Sequence, residues 1–428
     1  MSVALAPAAA PPSQEALVGL FPPSTELTPG GELMIGGCRV TELAERFGTP
    51  ALIVDESALR SRARRYADGL AARWQNSRVA FASKAFPCTA VYRLLAEEGL
   101  SIDVAGGGEL ALALAGGVDP ASLVVHGNAK TEAELRMAVE AGAGLIVIDN
   151  LDDIDRLERM VTAEQPVLVR VTPGIRPDTH AAVSTGQDGS KFGLALPQAR
   201  QAIARLRASD RLRLDGVHVH IGSQILDTDP FSRAVEAVAG LGTFAVYDLG
   251  GGLGARYTYG DHPPTIEEYL DALVGTARKV LPADAEIIIE PGRSMVAEAG
   301  VTLYRVVTVK HGEPVFAAVD GGMADNLEVA LYGQRFEATV ATRVGGGAPH
   351  HLVGRHCESG DTLSAGVHLR DPRPGDLIAV PATGAYCFSL ANNYNGALRP
   401  PVVFCQGGTA RAVVRRETYG DLTRRDLP

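Results

Sequence analysis

Between residues 51 and 290, short apolar runs alternate with segments of helical periodicity, and this alternation restricts the fold more than any other feature of the sequence. The runs consist mainly of Val, Ile, Leu and Ala, which is typical of parallel strands buried on both faces. Alternation of strand and helix indicates βαβ units and a parallel sheet. After a lead-in run at Ala51–Asp55, eight runs follow at 79–83, 101–105, 123–126, 145–149, 167–171, 216–221, 244–249 and 286–290. This number predicts an α/β chain whose main domain is a (β/α)8 barrel.

A polar residue or a glycine follows almost every run. In a barrel these residues would ring one end, where (β/α)8 enzymes hold their active sites. A doubly wound sheet would gather them at one crevice instead, so the even spread favours the barrel. In chain order they are Lys84, Asp103 and the three glycines at 106–108, the His-Gly-Asn sequence at 126–128, Asp149 and Asn150, Thr172, His220, the three glycines at 250–252, and the Glu-Pro-Gly-Arg sequence at 290–293.

From about residue 301 the pattern changes to strand-like runs interrupted by glycine and proline. Runs at 301–309, 315–319, 336–344, 377–380 and 401–405 indicate a second, mainly β domain. The segment 36–43 is expected to supply a strand to that domain, and the residues before about 30 are expected to form a loosely ordered arm. We therefore predict three regions: an arm with a strand that joins the β domain (1–47), the barrel (48–298) and the C-terminal β domain (299–428).

Composition and charge narrow the classes of function. The 428 residues carry a formal net charge of −10 and no run of Lys and Arg, which argues against a nucleic-acid partner. Neither a signal peptide nor a membrane partner is predicted, because the N-terminus lacks a positive region and no apolar run is long enough to span a bilayer. Five cysteines without a Cys-x-x-Cys pair argue against a disulfide framework or a zinc site and for a cytoplasmic protein.

Lys84 is a lone charge at the end of the first barrel run. A lysine at a barrel mouth can lose its proton through desolvation and form a Schiff base with an aldehyde. A solvated residue at a strand end is the alternative, and the position taken alone favours that alternative.

Three consecutive glycines, Gly250, Gly251 and Gly252, follow another strand. The backbone N–H groups of such a run can close around an anion, above all a phosphate. The spacing matches neither a dinucleotide-binding fingerprint nor a P-loop. A tight turn from strand to helix is the alternative, although at a barrel rim such a run favours the phosphate site.

Glu290 and Arg293 close the last barrel run in the sequence Glu-Pro-Gly-Arg. A carboxylate at that depth needs a positive or protonated partner, and a pyridinium nitrogen would suit it. Arg293 could then bind a phosphate or a carboxylate through two parallel hydrogen bonds. A Glu–Arg pair made within the motif itself is an equal alternative.

His218 and His220 alternate along a strand, so both side chains are expected on one face. A metal site would need a third ligand, and although His126 could reach, no carboxylate has the spacing to support it. We therefore predict no metal, and interpret these residues as a flat ring packed on a flat cofactor or as core histidines. Ser223, which follows shortly after, could cap an anion.

Cys357 and Glu358 lie in the β domain, in the sequence Cys-Glu-Ser-Gly-Asp. One interpretation is a small buried residue followed by a polar turn. The other is a thiol beside a carboxylate that together serve as an acid–base pair.

Taken together, these segments resemble the diaminopimelate decarboxylases, which are pyridoxal 5′-phosphate (PLP) enzymes of the alanine-racemase-like fold type. The matching stretches occur in the order that the family has, and they extend roughly from residue 40 to residue 425. They are 81–85, 103–110, 126–130, 191–193, 218–224, 248–252, 290–293, 319–323, 330–333, 357–361 and 384–386.

The resemblance implies a role for each candidate in PLP binding. Lys84 would bind the cofactor, His220 would stack on its ring, and Glu290 would keep the ring nitrogen protonated. The implied reaction is loss of the α-carboxylate as CO2, followed by protonation of the carbanion that remains. The phosphate would be held by Gly250, Gly251, Gly252, Gly292, Arg293, Ser223 and Tyr386.

The resemblance also implies shared active sites in a homodimer that acts on a small amino acid. Cys357, as the proton donor, and Glu358 would reach in from the partner subunit. The residues expected to contact substrate are Arg293, Glu328, Tyr332, Glu358 and Tyr386.

The sequence departs from the family at the substrate end. The family usually has an arginine that helps to bind the distal carboxylate of diaminopimelate, and Glu328 stands at that position. A glutamate that faces the same pocket would reverse the charge there. The loop 179–185 also lacks an acidic–aromatic pair that often follows its histidine, and the segment 392–396 is altered.

Three functions remain open. The first is a PLP-dependent amino-acid decarboxylase that acts on meso-diaminopimelate or, because of Glu328, on a modified, cationic or carrier-tethered amino acid. The second is an amino-acid racemase of the same fold type, which would need a second base, typically a tyrosine, in place of the motif around Cys357. The third, a catalytically silent PLP-binding protein, is disfavoured by Lys84, Cys357 and Glu290.

Overall fold

The computed structural model describes residues 13–175 and 189–427, which divide into two compact units. The barrel unit comprises residues 60–254 and 263–295, and the β-rich unit comprises the described residues up to 59 together with 255–262 and those from 296 onward. Within these ranges, no helix combines the length and the apolar character that a membrane crossing requires.

The described part of the barrel unit contains a closed sheet of eight parallel strands, which confirms the predicted (β/α)8 barrel. The sheet closes because Ile287 in the last strand pairs with Ser77 in the first, and because each strand between them pairs with its neighbour. The strands are Ser77–Ala82, Ser101–Val104, Leu123–Val125, Leu145–Ile148, Gln165–Thr172, Leu212–Val219, Val246–Asp248 and Glu286–Ile289, with the short strand Leu194–Ala195 added beside Gln165–Thr172.

Alternate side chains of these strands fill the barrel with aliphatic groups. Ala80, Val124, Leu168 and Ile288 belong to one buried cluster, as expected where every strand is covered on both faces. The helices that follow the strands include Thr89–Glu97, Gly107–Ala115, Glu132–Ala141, Leu151–Met160, Leu196–Arg207, Asp229–Ala239, Ile266–Val280 and Arg293–Val296, and the single turns are Ser83–Ala85 and Pro120–Ser122.

The β-rich unit contains a small and a large sheet. The small antiparallel sheet consists of Glu26–Leu27, Leu33–Ile35 and Cys38–Arg39. The large sheet consists of Ala51–Asp55, Gly300–Lys310, Phe316–Val319, Thr339–Val340, Ala348–Val353, Thr362–Leu369, Leu377–Pro381, Val402–Gln406 and Thr409–Val414. Its helices are Gln14–Val18, Val40–Phe47, Glu328–Tyr332 and Tyr419–Thr423, with single turns at Ala297–Ala299 and Tyr394–Gly396, and the helix Glu56–Arg73 begins in this unit.

The first strand expected near the barrel belongs to the large β sheet instead. Ala51–Asp55 pairs antiparallel with Gly300–Lys310 and parallel with Val402–Gln406. All five of its residues are buried, which is the pattern of a central strand in any sheet and does not identify which sheet it joins. The compact units therefore divide near residue 59, rather than at residue 48 as the sequence suggested.

The N-terminal segment differs from the loosely ordered arm that was expected. Leu17, Leu20 and Phe21 are buried in the core of the β-rich unit, and Gln14–Val18 is helical. Their apolar side chains outweigh the proline-rich composition that suggested an arm, while residues 1–12 lie outside the described ranges.

Two predicted strands are also shorter than expected. The segment 36–43 contributes only Cys38–Arg39, to the small sheet and not to the large one, before the helix Val40–Phe47 begins. The run 336–344 contributes only Thr339–Val340. Gly36 and Gly37, both with positive φ, directly precede Cys38–Arg39, and a turn at residues 341–343 directly follows Thr339–Val340.

Candidate active site

Lys84 lies in a single turn, Ser83–Ala85, that follows the first barrel strand. Its side chain is exposed, whereas both neighbouring residues are buried. The turn is fixed because Ser83 Oγ donates to Glu109 Oε2 over 2.5 Å, and the same oxygen accepts from the Ala105 N–H over 2.7 Å. The structure therefore presents an accessible amine at the carboxyl end of the barrel, as a Schiff-base lysine requires.

Glu290, directly after the last barrel strand, is held between two histidines. His126 Nε2 lies 2.6 Å from Glu290 Oε1, and His218 Nε2 lies 3.1 Å from Glu290 Oε2. The two imidazole rings meet edge to face with centroids 4.7 Å apart. These contacts give Glu290 its partners inside the barrel, where the sequence left a pair with Arg293 as an equal alternative.

The charges in this group follow from burial and from the short contacts. Burial opposes ionisation of Glu290, but His126 and His218 together hold the pKa of that carboxyl well below its usual range. Burial also opposes a charge on His126, yet Glu290 and Asp103 raise the pKa of His126. Burial lowers the pKa of His218 to about 3, so His218 is a neutral hydrogen-bond donor. The short contact between them thus favours the anionic form of Glu290 and the cationic form of His126.

Two further carboxyl groups belong to the same cluster, and sequence reasoning did not assign them a role. Asp103 Oδ1 lies 3.8 Å from His126 Nε2, and burial raises the pKa of Asp103 to about 7. Burial and the neighbouring Glu290 raise the pKa of Asp248 well above its ordinary value. Both residues belong to apolar barrel strands, where an acidic side chain is itself a signal of function.

The donor atoms of His126, His218, Asp248 and Glu290 all lie within 4.8 Å of one another. The sequence argued against a metal because no carboxylate had the spacing to support the histidines. In the folded chain two carboxyl groups, those of Asp248 and Glu290, do lie beside them. The Nε2 atoms of both histidines already contact the oxygens of Glu290. A metal ion would have to replace those contacts, and the pairs satisfy the charged carboxylate without one.

The glycine run has the shape that was expected, but two of its N–H groups are used internally. A Cβ atom on Gly251 would lie 2.0 Å from the Glu290 carbonyl oxygen, and one on Gly250 would lie 2.3 Å from that of Val219. The Gly250 N–H donates to Asp248 Oδ1, and the Gly251 N–H donates to His220 Nδ1 over 3.1 Å. The run therefore shapes the strand end, and only part of it is available to surround an anion in the way the sequence predicted.

His220 and Arg293 border the same strand ends. Because His220 Nδ1 accepts from a backbone N–H, its ring carries the proton on Nε2. Burial and the nearby charge of Lys84 lower the pKa of His220 well below its ordinary value, which leaves a flat neutral ring. Arg293 is buried, and its Nε donates to Ser223 Oγ over 3.2 Å. Gly292 beside it is tightly packed, since a Cβ there would lie 3.0 Å from that of Ala82.

Cys357 and Glu358 project from an exposed turn of the β-rich unit. Asp361 holds this turn, because its carboxylate accepts from the backbone N–H groups of Met323 and His356, each over 2.7 Å. The Cys357 N–H donates to Asn395 Oδ1 over 2.9 Å, so the altered segment 392–396 supports the turn. The exposure of the thiol argues against the interpretation of Cys357 as a buried small residue.

Glu328 begins the short helix Glu328–Tyr332 and is only 1% exposed. Its carboxylate therefore does not point to solvent. Tyr332 and Tyr386 in the same unit are half-buried, and Tyr386 has a φ of 63°, a left-handed conformation that costs energy for a residue with a side chain. The loop 179–185, which also departs from the family, lies outside the described residues.

This chain is similar to known PLP-dependent decarboxylases. Residues 56–297 match the family described as "Pyridoxal-dependent decarboxylase, pyridoxal binding domain". A diaminopimelate decarboxylase of Actinosynnema pretiosum subsp. auranticum is 45% identical over 96% of this chain and 95% of its own length, and that of Bacillus subtilis is 42% identical over 93% and 96%. A crystal structure of the diaminopimelate decarboxylase of M. jannaschii superposes with a TM-score of 0.88 at 31% identity, covering 95% of this chain and 98% of that one.

The barrel and the match to the decarboxylase family together define a PLP-dependent decarboxylase, a carboxy-lyase. Within that class, the chain belongs to the diaminopimelate decarboxylase family. The residues at the strand ends fit the cofactor PLP: an exposed amine for its aldehyde, a flat neutral ring, a buried anion for its ring nitrogen, and a strand end that only glycine can form.

Proposed function

We propose that this enzyme removes the α-carboxylate of an amino acid whose far end is cationic or neutral, rather than that of meso-diaminopimelate. The observation that carries the proposal is the burial of Glu328, at the position where the resemblance expects an arginine. The relatives named above are called diaminopimelate decarboxylases, and the arginine they are expected to have would bind the distal carboxylate of that substrate.

The size of the effect follows from the charge reversal. A hydrogen bond between charged groups is worth roughly 1.5–3 kcal/mol, and its replacement by a carboxylate adds repulsion or forces one group to take up a proton. Together these changes correspond to a loss of about tenfold to several hundredfold in kcat/KM for a substrate with a distal carboxylate. A distal ammonium, or an uncharged extended or carrier-tethered tail, avoids this loss.

The barrel residues supply the common part of the reaction. Bound PLP provides an electron sink for the electron pair that remains when CO2 leaves. In this proposal Lys84 holds the cofactor, Glu290 keeps a proton on its ring nitrogen, and His220 covers its ring. Arg293 and Ser223 bind its phosphate together with the glycine run and Tyr386, and Arg293 also orients the substrate.

Cys357 donates the proton that replaces the lost carboxylate, with Glu358 beside it, and we propose that both act in the active site of a second subunit. Their exposure on the isolated chain supports this arrangement. Lys84→Ala and Cys357→Ala are each expected to be inactive alone, and to regain part of the activity when their subunits are mixed and exchanged. No recovery, with exchange shown by mass spectrometry of tagged subunits, would mean that each active site uses one chain only.

The experiment that tests the substrate is a CO2-release assay over a panel of amino acids. The panel contains meso-diaminopimelate, lysine, ornithine, arginine, and acylated or carrier-tethered amino acids. A cationic or uncharged tail is expected to give a higher kcat/KM than meso-diaminopimelate. Chiral analysis of the remaining substrate checks for racemisation, and racemisation without CO2 release would overturn the assignment as a decarboxylase.

A further inference from the structure

Glu290 is surrounded by several ionisable side chains in addition to the place where a ring nitrogen would bind. His126 lies at 2.6 Å on one oxygen of Glu290 and His218 at 3.1 Å on the other. The surroundings of the two histidines differ. Asp103 lies 3.8 Å from His126 Nε2, while His218 Nδ1 has no hydrogen-bond partner among the described residues.

Because their surroundings differ, His126 and His218 act differently on Glu290. A histidine between two carboxyl groups is stabilised as a cation, and the pKa of His126 is raised accordingly. A buried histidine whose other nitrogen has no partner is not stabilised in that way, and the pKa of His218 is about 3. One histidine therefore contributes a charge and a hydrogen bond, and the other contributes a hydrogen bond only.

We propose that His126 is a positioning residue that keeps Glu290 ionised, and so ready to bind the protonated ring nitrogen of PLP. The proposal rests on the proposed contact between Glu290 and that nitrogen. Without the cation at His126, the effect of burial on the pKa of Glu290 is no longer offset. The pKa therefore rises, and the carboxyl group takes up a proton at a higher pH. A neutral carboxyl group binds a ring cation less well than a carboxylate does.

Other ionisable groups also act on Glu290, and they remain in place when His126 is changed. Arg170 is a second buried cation, but it lies 3.7 Å from Asp149 and over the ring of Phe192. The ionisable side chains of the described residues that interact electrostatically with Glu290 include Asp103, His126, Arg170, His218, His220, Asp248 and Tyr269.

The test compares His126→Gln with the matched variant His218→Gln. Both variants exchange an imidazole for an amide that can still donate a hydrogen bond, but only the first removes a charge. Each holoenzyme is dialysed to equilibrium against graded PLP between pH 6 and pH 8, and bound cofactor is measured by its absorbance. The readout is the ratio of the PLP Kd of the variant to that of the wild type at each pH, which cancels the titration of PLP itself.

For His126→Gln we expect a Kd ratio within about threefold of one at pH 8. As the pH falls below the new pKa of Glu290, the carboxyl group takes up a proton, and the Kd ratio should rise by up to about tenfold per pH unit. For His218→Gln we expect a ratio that does not change with pH. His126→Lys, which restores a cation, is expected to make the ratio flat again. His126→Asn serves as the charge-removing variant if the glutamine variant does not fold, as judged by circular dichroism.

A ratio for His126→Gln that is constant across the pH range would overturn the proposal, because a merely structural histidine weakens binding equally at every pH. An equal rise in the ratio for His218→Gln would also overturn it, since the charge would then not belong to His126. Glu290→Gln tests the contact between Glu290 and the ring nitrogen separately from the role of His126. If this variant leaves the PLP Kd unchanged, the proposed role of Glu290 is wrong, and not only that of His126.

Discussion

Glu290 in the barrel unit and Glu328 in the β-rich unit are both almost completely buried carboxylates. Glu290 stands in a motif that matches the family, and two histidines surround it within its own unit. Glu328 stands where the resemblance to the family expects an arginine. In the function proposed above, Glu290 belongs to the chemistry that every substrate of a PLP decarboxylase shares, and Glu328 to the choice among substrates. If so, a chain can keep one reaction while its substrate changes, and substitutions at the two residues should differ in how far their effects depend on the substrate.

The largest effect on activity is expected at Lys84, which belongs with Glu290 to the barrel unit. Its effect should be the same for every substrate. Lys84→Ala should reduce CO2 release by on the order of a thousandfold or more for every amino acid in the panel. Borohydride reduction of the wild type should fix the cofactor to the peptide that contains Lys84. Lys191→Ala, which removes another exposed lysine of the barrel unit, is the control, and labelling of any other lysine would contradict the assignment.

The next largest effect is expected at Glu328, and it should depend on the substrate. Glu328→Arg should raise kcat/KM for meso-diaminopimelate by about tenfold to several hundredfold, because it restores a charge-assisted contact. The same change should lower kcat/KM for a substrate with a distal ammonium. Steady-state kinetics on the two substrates give both numbers from one pair of proteins.

The control for Glu328 lies in the same segment. Arg335 is exposed, and it could supply the missing positive charge if Glu328 did not govern the pocket. Arg335→Gln should leave kcat/KM for meso-diaminopimelate unchanged within about twofold, as for a surface substitution. A large loss in this variant, with no gain in Glu328→Arg, would assign the specificity to Arg335 instead.

The smallest effect is expected in the glycine run, where shape rather than charge is tested. Gly251→Ala places a Cβ atom 2.0 Å from the Glu290 carbonyl oxygen, so it should lower the free energy of unfolding by about 1–3 kcal/mol and weaken PLP binding. Gly275→Ala lies in a helix with nothing within 4 Å of the added Cβ. It should instead stabilise by about 0.5–1 kcal/mol, and urea unfolding of both variants measures the contrast.

The barrel and the location of its site could be predicted because both depend on local patterns. Each of the eight apolar runs formed a strand within a few residues of its expected bounds, and the polar residues after them mark the carboxyl ends of those strands. The cluster around Glu290 could be predicted only in part. Asp103, His126 and Asp248 lie far apart in the sequence, and only the closed sheet brings them to one carboxylate.

The β-rich unit could be predicted less well, because its strands pair over long sequence distances. A run such as Ala51–Asp55 is apolar throughout, and its composition does not indicate whether its partners are barrel strands or Gly300–Lys310. The N-terminal segment was misjudged for a similar reason. Its prolines suggested an arm, and the burial of Leu17 and Phe21 depends on a core that is assembled from distant residues.

The most direct test of the proposed substrate class uses two amino acids that differ only at the far end. The lysine enantiomer that keeps the configuration of the reacting centre is meso-diaminopimelate without its distal carboxylate, so the ratio of their kcat/KM values, measured with both D-lysine and L-lysine, isolates the contribution of that group. For the wild-type enzyme we expect the ratio of meso-diaminopimelate to lysine to lie below one, by about tenfold or more. A ratio well above one in the wild type would contradict the account, because the buried carboxylate of Glu328 would then not disfavour an anionic substrate.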